Sequence, residues 1–419
     1  MPPTKLGGCQ LAYLDEFRAH WRSLVAACVG MSVGAALNFF TMSTFGPALI
    51  ADLGWSKADY ALVGSLPLAT MLLMPLAGRF TDRFGPRIAA TIGFIVVPMG
   101  FLGMSMMSGK IIEFFALNIF LNAFGVLTSA FVFCRIVVER FDTARGAALS
   151  LVMCSSPLIA AVVAPLLGAI IAHSGWRTAY VALALISGVG GLLAILMMGN
   201  GRSSTPAQPR DKSKLSRTEF LGLVRNPVFL LLIGGMFLVN APMVFATSQL
   251  KVIAMDLGVG DQVATWMISA YAVGAIAGRC LSGLLLDRIE PHIVAMATLS
   301  LPAVGFCLLA AQLTTIPILL LAVISVGFAQ GAESDIGAFL ISRQFGLKNF
   351  SLLLSFLNMT VGAGTVAGSL ILSATLRWAD DYFPFLVFCA VSSLAGALLF
   401  GLTGAFRAGA RATKLRQPA

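Results

Sequence analysis

Twelve apolar stretches, each long enough to cross a lipid bilayer, follow one another along this chain of 419 residues. An α-helix needs about 20 apolar residues to span the hydrocarbon core, where it satisfies its own backbone hydrogen bonds. Hydrophobic residues make up 58% of the sequence and charged residues only 11%. These proportions exclude a soluble globular domain, a disordered chain and a small disulfide scaffold. The sequence therefore predicts an all-α polytopic membrane protein with 12 transmembrane helices.

The predicted helices fall into two groups of six, separated by a polar segment. The individual spans are predicted at 23–50, 58–79, 87–108, 111–138, 144–173, 177–199, 227–254, 262–287, 291–312, 316–342, 350–376 and 382–405. We expect a cytoplasmic leader at 1–22, a first six-helix bundle at 23–199 and a second at 227–405. Residues 200–226 are rich in Ser, Pro, Arg and Lys, which indicates a cytoplasmic linker between the bundles. Residues 406–419 are expected to form a basic cytoplasmic tail.

The distribution of Lys and Arg predicts how the chain is oriented in the membrane. If both termini and the linker are cytoplasmic, 21 of the 28 basic residues face the cytoplasm and two lie within spans. The five on the outer side are Lys57, Lys110, Arg177, Lys251 and Arg377. We therefore expect a multi-pass protein of the inner (cytoplasmic) membrane. The net charge of +10 then reflects topology and contact with lipid headgroups, and no nucleic acid partner is expected.

A short motif recurs at the same place in the two halves. Residues 78–83 and 283–288 both read G-x-x-x-D-R, and each copy follows the second span of its half. A matching pair at corresponding positions is typical of a parallel repeat of six-helix bundles.

With this repeat the chain resembles the major facilitator superfamily of secondary transporters. The cytoplasmic loop signature of that superfamily is matched by Gly78, Asp82, Arg83, Gly85 and Arg87. A relaxed form of its fifth-helix motif is matched by Ala160, Ala164, Pro165 and Gly168. The resemblance implies two six-helix bundles that rock around a central site near the bilayer midplane. We expect a functional monomer with no cofactor and no metal.

The same resemblance implies a cytoplasmic gate, held by charged residues of the two motifs. The candidate gate residues are Gly78, Asp82, Arg83, Arg87, Arg135, Asp287 and Arg288. Arg135 lies near the cytoplasmic end of the fourth span. It is expected either to reach the membrane interface or to close the gate against Asp82 or Glu139.

A finer resemblance is to bacterial relatives of the monocarboxylate and oxalate transporters. It is carried by Phe45 to Leu49 with Gly54 to Ser56, by Arg279, and by Gly331 to Asp335 with Arg343 to Gly346. Arg279 stands where the monocarboxylate carriers have their substrate arginine. The chain departs from those carriers at Ala275, where they have an acidic residue, and it lacks the lysine of their first helix. The resemblance therefore implies an organic anion as substrate, but it does not supply the coupling chemistry.

Four charged residues within predicted spans are the candidates for function, because a charge that faces lipid is strongly unfavourable there. They are Arg135, Arg279, Glu333 and Asp335. Arg279 precedes Asp287 by eight residues, which is about 12 Å along a helix, so it lies well inside the hydrocarbon. Its guanidinium can hold a carboxylate by two parallel hydrogen bonds. The alternative is a permanent ion pair with Glu333 or Asp335 that has only a structural role.

Glu333 and Asp335 are the candidate groups for proton coupling. They are two residues apart and so point about 200° apart on a helix, which means that both cannot face the same cavity. Burial favours the neutral carboxyl, whereas an adjacent Arg279 favours the ionised form. We expect the substrate to displace Glu333 from Arg279 and free it to take a proton. Structural pairing is the alternative for both carboxyl groups.

Uncharged side chains supply further candidates. Asn38 in the first span, Asn358 in the eleventh and Tyr271 in the eighth are expected to contact the substrate. The other amides within spans are Asn118, Asn122, Asn240, Gln249 and Gln330. Hydrogen bonds between helices are the alternative for the amides, and packing is the alternative for Tyr271.

The sequence indicates a carrier rather than an enzyme, because it contains no Walker motif, no HExxH and no cluster of metal ligands. We expect a gradient-driven carrier of a small organic anion, a monocarboxylate or related carboxylate (aromatic ones included), with the proton as the coupled ion. The alternatives are a drug or metabolite exporter with an apolar cavity, a non-transporting membrane receptor, and a channel.

Overall fold

The computed structural model describes residues 5–66, 73, 76–77, 79–81, 83–141, 144–198, 225–286, 288–345 and 350–415. Within these ranges every regular element is helical, which confirms the all-α prediction. The helices are α1 Lys5–Val33, α2 Ala35–Leu53, α3 Lys57–Ala61, α4 Pro86–Met106, α5 Ile111–Gly125, α6 Ala130–Arg140, α7 Arg145–Met197, α8 Pro227–Asn240, α9 Leu250–Asp256, α10 Asp261–Leu286, α11 Pro291–Ala310, α12 Ile316–Phe345, α13 Phe350–Ala379 and α14 Phe383–Leu415. Shorter helical turns occur at Leu62–Ser65, Val126–Thr128 and Phe245–Gln249.

Ten described helical segments are long and apolar enough to cross a membrane. One of them, Ala147–Met197, has 51 residues and covers both the fifth and the sixth predicted spans. Gly175 interrupts it with a φ of 82°, a conformation that glycine adopts without strain. Much of the predicted second span, 58–79, lies outside the described residues. The structure thus confirms a multi-pass membrane protein with about ten to twelve spans.

Two helix breaks that the sequence does not reveal are connected with each other. α1 ends at Val33 and α2 begins at Ala35, although a single span is predicted at 23–50. The Ala35 N–H donates to Thr128 Oγ1 at 2.9 Å, and Thr128 lies in the 3₁₀ turn that separates α5 from α6. A backbone donor released by one break is therefore satisfied at the other, as buried polar groups require.

The described residues belong to two compact units, one drawn from 1–48 and 69–210 and the other from 49–68 and 211–419. In the first unit, α1 and α4 both pack on α7. Its core is apolar and includes the buried rings of Phe94, Phe133 and Phe141. The predicted linker at 200–226 lies outside the described residues except for its last two positions, so the predicted domain boundaries stay a prediction.

In the second unit, α10 packs on α12, and α11 packs on both α12 and α14. α8 completes this arrangement by packing on α13 and α14. Leu232, Leu299 and Ile336 are buried in its core. The unit therefore brings together the helices that carry most of the charged residues predicted within spans.

The short helix α3 also belongs to the second unit and is attached to it by polar contacts. Lys57 forms an ion pair with Asp256, and Arg377 Nη2 lies 3.0 Å from Asp59 Oδ1. The buried Ser369 hydroxyl donates to the carbonyl oxygen of Ala61 at 2.6 Å. Both ion pairs are partly exposed, so each contributes little stability by itself.

Candidate functional site

Gly278 and Gly331 allow α10 and α12 to approach each other closely. A Cβ atom at Gly278 would lie 1.9 Å from the carbonyl oxygen of Phe328, and one at Gly331 would lie 1.9 Å from that of Ala275. Small residues permit such backbone contact between membrane helices. The contact places Arg279 of α10 beside the polar residues that follow Gly331 on α12.

Arg279 forms an ion pair with Asp335, with Nε 3.3 Å from Oδ2. Its Nη2 donates to Ser334 Oγ, also at 3.3 Å. The side chain of Arg279 is 19% exposed and that of Asp335 is 44% exposed. The guanidinium thus has a carboxylate partner that is only partly buried.

Glu333, in contrast, lies in the packed interior and is only 4% exposed. Its Oε1 accepts a hydrogen bond from Gln330 Nε2 at 3.0 Å. The two carboxyl groups therefore face different surroundings, as their spacing predicts. The structure shows Arg279 paired with Asp335, one of the two partners that the sequence left open, and displacement of Glu333 from Arg279 by the substrate stays a prediction.

Two buried polar side chains lie beside Glu333. Asn240 at the end of α8 is close enough to interact with its carboxyl group, and so is Tyr271 on α10. Asn240 Nδ2 donates to the carbonyl oxygen of Met236 at 3.0 Å. Within the described part of the chain, the Tyr271 hydroxyl has no hydrogen-bond partner. Tyr271 is thus buried among the packed helices rather than exposed to open space.

The other two predicted substrate contacts lie in different surroundings. Asn38 belongs to the first compact unit, where its Nδ2 donates to Asn118 Oδ1 at 3.4 Å. Asn358 belongs to the second unit and is exposed on α13. Asn38 therefore already makes the bond between helices that the sequence left open as an alternative.

The predicted gate residues are only partly described. Gly78, Asp82 and Asp287 lie outside the described residues. Arg83 is exposed and stacks over the Phe84 ring at 5.3 Å, and Arg288 is also exposed. Arg87 is half-buried at the start of α4.

Arg135 makes a contact that was one of the sequence alternatives. Its Nε lies 2.8 Å from Glu139 Oε1, one turn further along α6. The partner is therefore on the same helix, an arrangement that stabilises a helix locally.

Among the residues that the structure describes, no group of three or more His, Cys, Asp or Glu side chains is placed to hold a metal ion. Sequence reasoning missed the hydrogen bond that Arg279 donates to Ser334. A serine in a membrane helix most often bonds to its own backbone, so its type and position gave no signal of this contact.

Comparison with known proteins identifies the family. A family model described as Major Facilitator Superfamily matches residues 31–258 and 243–417. Among solved structures, a variant of the nucleoside transporter NupG superposes with a TM-score of 0.76 at 14% identity, covering 91% of this chain and 99% of that one. This likeness shows the fold.

The relatives of this chain are distant in sequence, and their names describe different kinds of transport protein. The chain is 26% identical over 275 residues to the agnestins efflux protein AgnL12 of Paecilomyces divaricatus, covering 64% of this chain and 59% of that protein. It is 29% identical over 203 residues to a probable hexose phosphate transport protein of Chlamydia pneumoniae, covering 46% and 43%. It is 23% identical over 343 residues to monocarboxylate transporter 13 of Bos taurus, covering 80% and 78%. The match thus spans less than two thirds of the first two relatives. Because the family model covers most of the sequence, the chain belongs to the Major Facilitator Superfamily and is a membrane transporter rather than an enzyme.

Proposed function

We propose that this transporter carries a small organic anion, a monocarboxylate or related carboxylate, by alternating access and in symport with a proton. It acts as a monomer in the cytoplasmic membrane, with both termini in the cytoplasm as the Lys and Arg distribution predicts. Arg279 binds the substrate carboxylate, and Asn38, Asn358 and Tyr271 contact the rest of the molecule. The residues of the two G-x-x-x-D-R motifs hold the cytoplasmic gate.

The environment of Arg279 is the observation that carries this proposal. A strong charge-assisted hydrogen bond between nitrogen and oxygen is about 2.7–2.9 Å long, whereas Nε of Arg279 is 3.3 Å from Asp335 Oδ2. A free carboxylate that makes two parallel bonds would bind more strongly than Asp335 does. A substrate anion is therefore able to replace Asp335, which is the accessible partner.

The names of the relatives are consistent with an anionic substrate. Monocarboxylate transporter 13 aligns with 80% of this chain, and a hexose phosphate is an anion as well. AgnL12, in contrast, is named as an efflux protein, which favours the exporter as the second candidate function. A guanidinium within the membrane suits an anion in either direction of transport.

A transport screen of the full chain in proteoliposomes tests this function. The labelled probes are lactate, oxalate, benzoate and glucose 6-phosphate, each with and without an imposed pH gradient. We expect uptake of at least one carboxylate, faster when the outside is acidic, and competition by the same unlabelled compound. Flux of a labelled neutral apolar compound, tested beside these anions, without uptake of any of them would favour the exporter, and binding without flux would favour the receptor.

Asp335→Asn tests whether Asp335 is the resting partner of Arg279. The variant removes a competing carboxylate, so we expect the substrate to bind about threefold more tightly, as an exposed ion pair of roughly 0.7 kcal/mol implies. Isothermal titration of the purified protein measures this change. Asp59→Asn, which removes an exposed carboxylate paired with Arg377, is the matched control and should leave the affinity unchanged. Weaker binding by Asp335→Asn would mean that Asp335 orients Arg279 instead of competing for it.

A further inference from the structure

A small cavity borders Glu333 inside the second compact unit. The space open to the centre of a water molecule is about 20 Å³, which is room for about one water. Apart from Gln330, Glu333 and Ser393, the residues that line it are apolar. Ser393 donates its hydroxyl hydrogen to the carbonyl oxygen of Cys389 at 2.8 Å, so its oxygen is left to accept from a water. The cavity therefore offers a water three polar neighbours, the number that buried waters usually have.

Two buried oxygen atoms in this part of the unit, one on Glu333 at the cavity and one on Asn240, have no hydrogen-bond donor among the described residues. Glu333 Oε2 is buried and has no hydrogen-bond partner in the described part of the chain, and the same holds for Asn240 Oδ1. The bond from Asn240 Nδ2 to the carbonyl oxygen of Met236 fixes the orientation of the amide. An ionised carboxylate only accepts hydrogen bonds and so does an amide oxygen. With Glu333 ionised, no protein group in the described part of the chain donates to either of these two buried oxygens, which is unfavourable.

A proton on Glu333 resolves this conflict. Protonation forms one O–H bond at Oε2, with the proton taken from a hydronium ion that becomes water, and nothing is oxidised or reduced. The new O–H can donate to Asn240 Oδ1, while Oε1 keeps the bond from Gln330.

The charged and titratable groups around Glu333 permit this neutral form. On α10 they are Arg279 and Tyr271, and on its own helix the nearest is Asp335. Arg279 already has Asp335 as a carboxylate partner, so it does not require Glu333 to be ionised. α8 contributes the uncharged Asn240, and α13 has no charged residue over 353–376. The lining residues from α11 are Pro302 and Phe306, both apolar.

We propose that Glu333, Asn240 and one water in this cavity form a proton-binding site that is separate from the anion site at Arg279. The site deepens the proposed function by naming the group that carries the coupled proton, and only its role in coupling rests on that function. Proton binding itself is independent of any substrate.

Infrared spectroscopy of the full-length protein in liposomes, without substrate, tests the site directly. At neutral pH we expect the C=O stretching band of a buried protonated carboxylic acid, and we expect a small downshift of this band in heavy water. Glu333→Gln should remove the band completely. Glu113→Gln removes a carboxyl that bonds to Ser108 at an exposed position, and this control should leave the band unchanged. If Glu333→Gln does not fold, the shift of the band in heavy water still shows whether the unmodified protein contains a buried protonated carboxyl group.

Ala329→Val tests the water, because Ala329 lines the cavity and two added methyl groups would fill it. The band should persist but move, since the carboxyl loses the hydrogen bond of the water. An unchanged band would contradict the presence of the water. The absence of the band from the unmodified protein would contradict the proton-binding site itself. A carboxylate band that shifts when sodium replaces potassium would also overturn it in favour of a metal cation.

The same variants separate coupling from transport. We expect Glu333→Gln to retain exchange of labelled for unlabelled carboxylate but to lose accumulation driven by a pH gradient alone. If no organic anion is carried by the unmodified protein, the proposed function fails while the infrared band still decides the site. If Glu333→Gln accumulates substrate from a pH gradient, the coupling role of the site is overturned.

Discussion

Arg279→Ala is expected to reduce carboxylate binding by about two orders of magnitude, which corresponds to roughly 3 kcal/mol. The guanidinium pairs with a carboxylate that is partly exposed, and the alanine variant removes the cation that would pair with the substrate. It also leaves Asp335 without its ion-pair partner. Uptake should fall in parallel, because binding precedes translocation.

Arg279→Lys tests whether binding depends on two parallel hydrogen bonds or on positive charge alone. The lysine keeps the charge but presents a single ammonium group, which cannot form two parallel hydrogen bonds to one carboxylate. We expect binding that is weaker than in the unmodified protein and stronger than in Arg279→Ala. Equal affinity for the lysine and arginine forms would contradict a bidentate contact and favour a general attraction by positive charge.

The control for both variants is Arg22→Ala. Arg22 is exposed and stacks over the Trp21 ring at 5.7 Å, far along the sequence from α10, and it takes no part in the proposed site. At equal amounts of folded protein, the substrate affinity and uptake of Arg22→Ala should match those of the unmodified chain. If uptake by Arg279→Ala also matches, Arg279 has a purely structural role.

Gly331→Ala is expected to have the largest effect on stability. The new Cβ would lie 1.9 Å from the carbonyl oxygen of Ala275, and a backbone atom cannot move aside as a side chain can. α10 and α12 would have to separate, at a cost of about 2 kcal/mol or more. The separation would also pull Arg279 away from Asp335, so binding should weaken although neither residue is changed.

The chain offers a graded test and a matched control for this prediction. A Cβ at Gly274 would lie 2.4 Å from the Ile324 carbonyl oxygen, while one at Gly283, also on α10, would have nothing within 4 Å. Thermal unfolding in detergent measures the midpoint of each variant. The midpoint of Gly331→Ala should be lower than that of Gly274→Ala, and the midpoint of Gly283→Ala should be close to that of the unmodified protein. Equal midpoints for Gly331→Ala and Gly283→Ala would contradict the close approach. If Gly331→Ala does not fold, the milder Gly274→Ala still decides the order.

Sequence reasoning found the helices and the charges because both depend on local chemistry. About 20 apolar residues in succession are sufficient to predict a membrane helix, and a charged residue inside such a stretch is conspicuous wherever the helix packs. Arg279, Glu333 and Asp335 were identified in this way. Their spacing also predicted that the two carboxyl groups face different surroundings, because the turn of a helix is fixed.

Helix interruptions were harder to predict, since they are stabilised by distant partners. The break between α1 and α2 depends on Thr128, which is 93 positions from Ala35. The boundary predicted between residues 173 and 177 coincides with Gly175, where a φ of 82° bends the helix. Composition alone does not reveal which backbone donors find partners elsewhere in the fold.

Span lengths, charge distribution and the repeated motif are sufficient to predict the class of the protein, its family and the side chains that carry charge into the membrane. The pairing of Asp335 with Arg279, across 56 positions of sequence, is visible only in the folded protein. The same is true of the burial of Glu333 near Asn240 and beside a cavity with room for about one water. Hydropathy and helical spacing act within one helix, whereas the choice of partner depends on how closely two helices approach. That distance is set here by Gly278 and Gly331, whose effect appears only when the helices are packed.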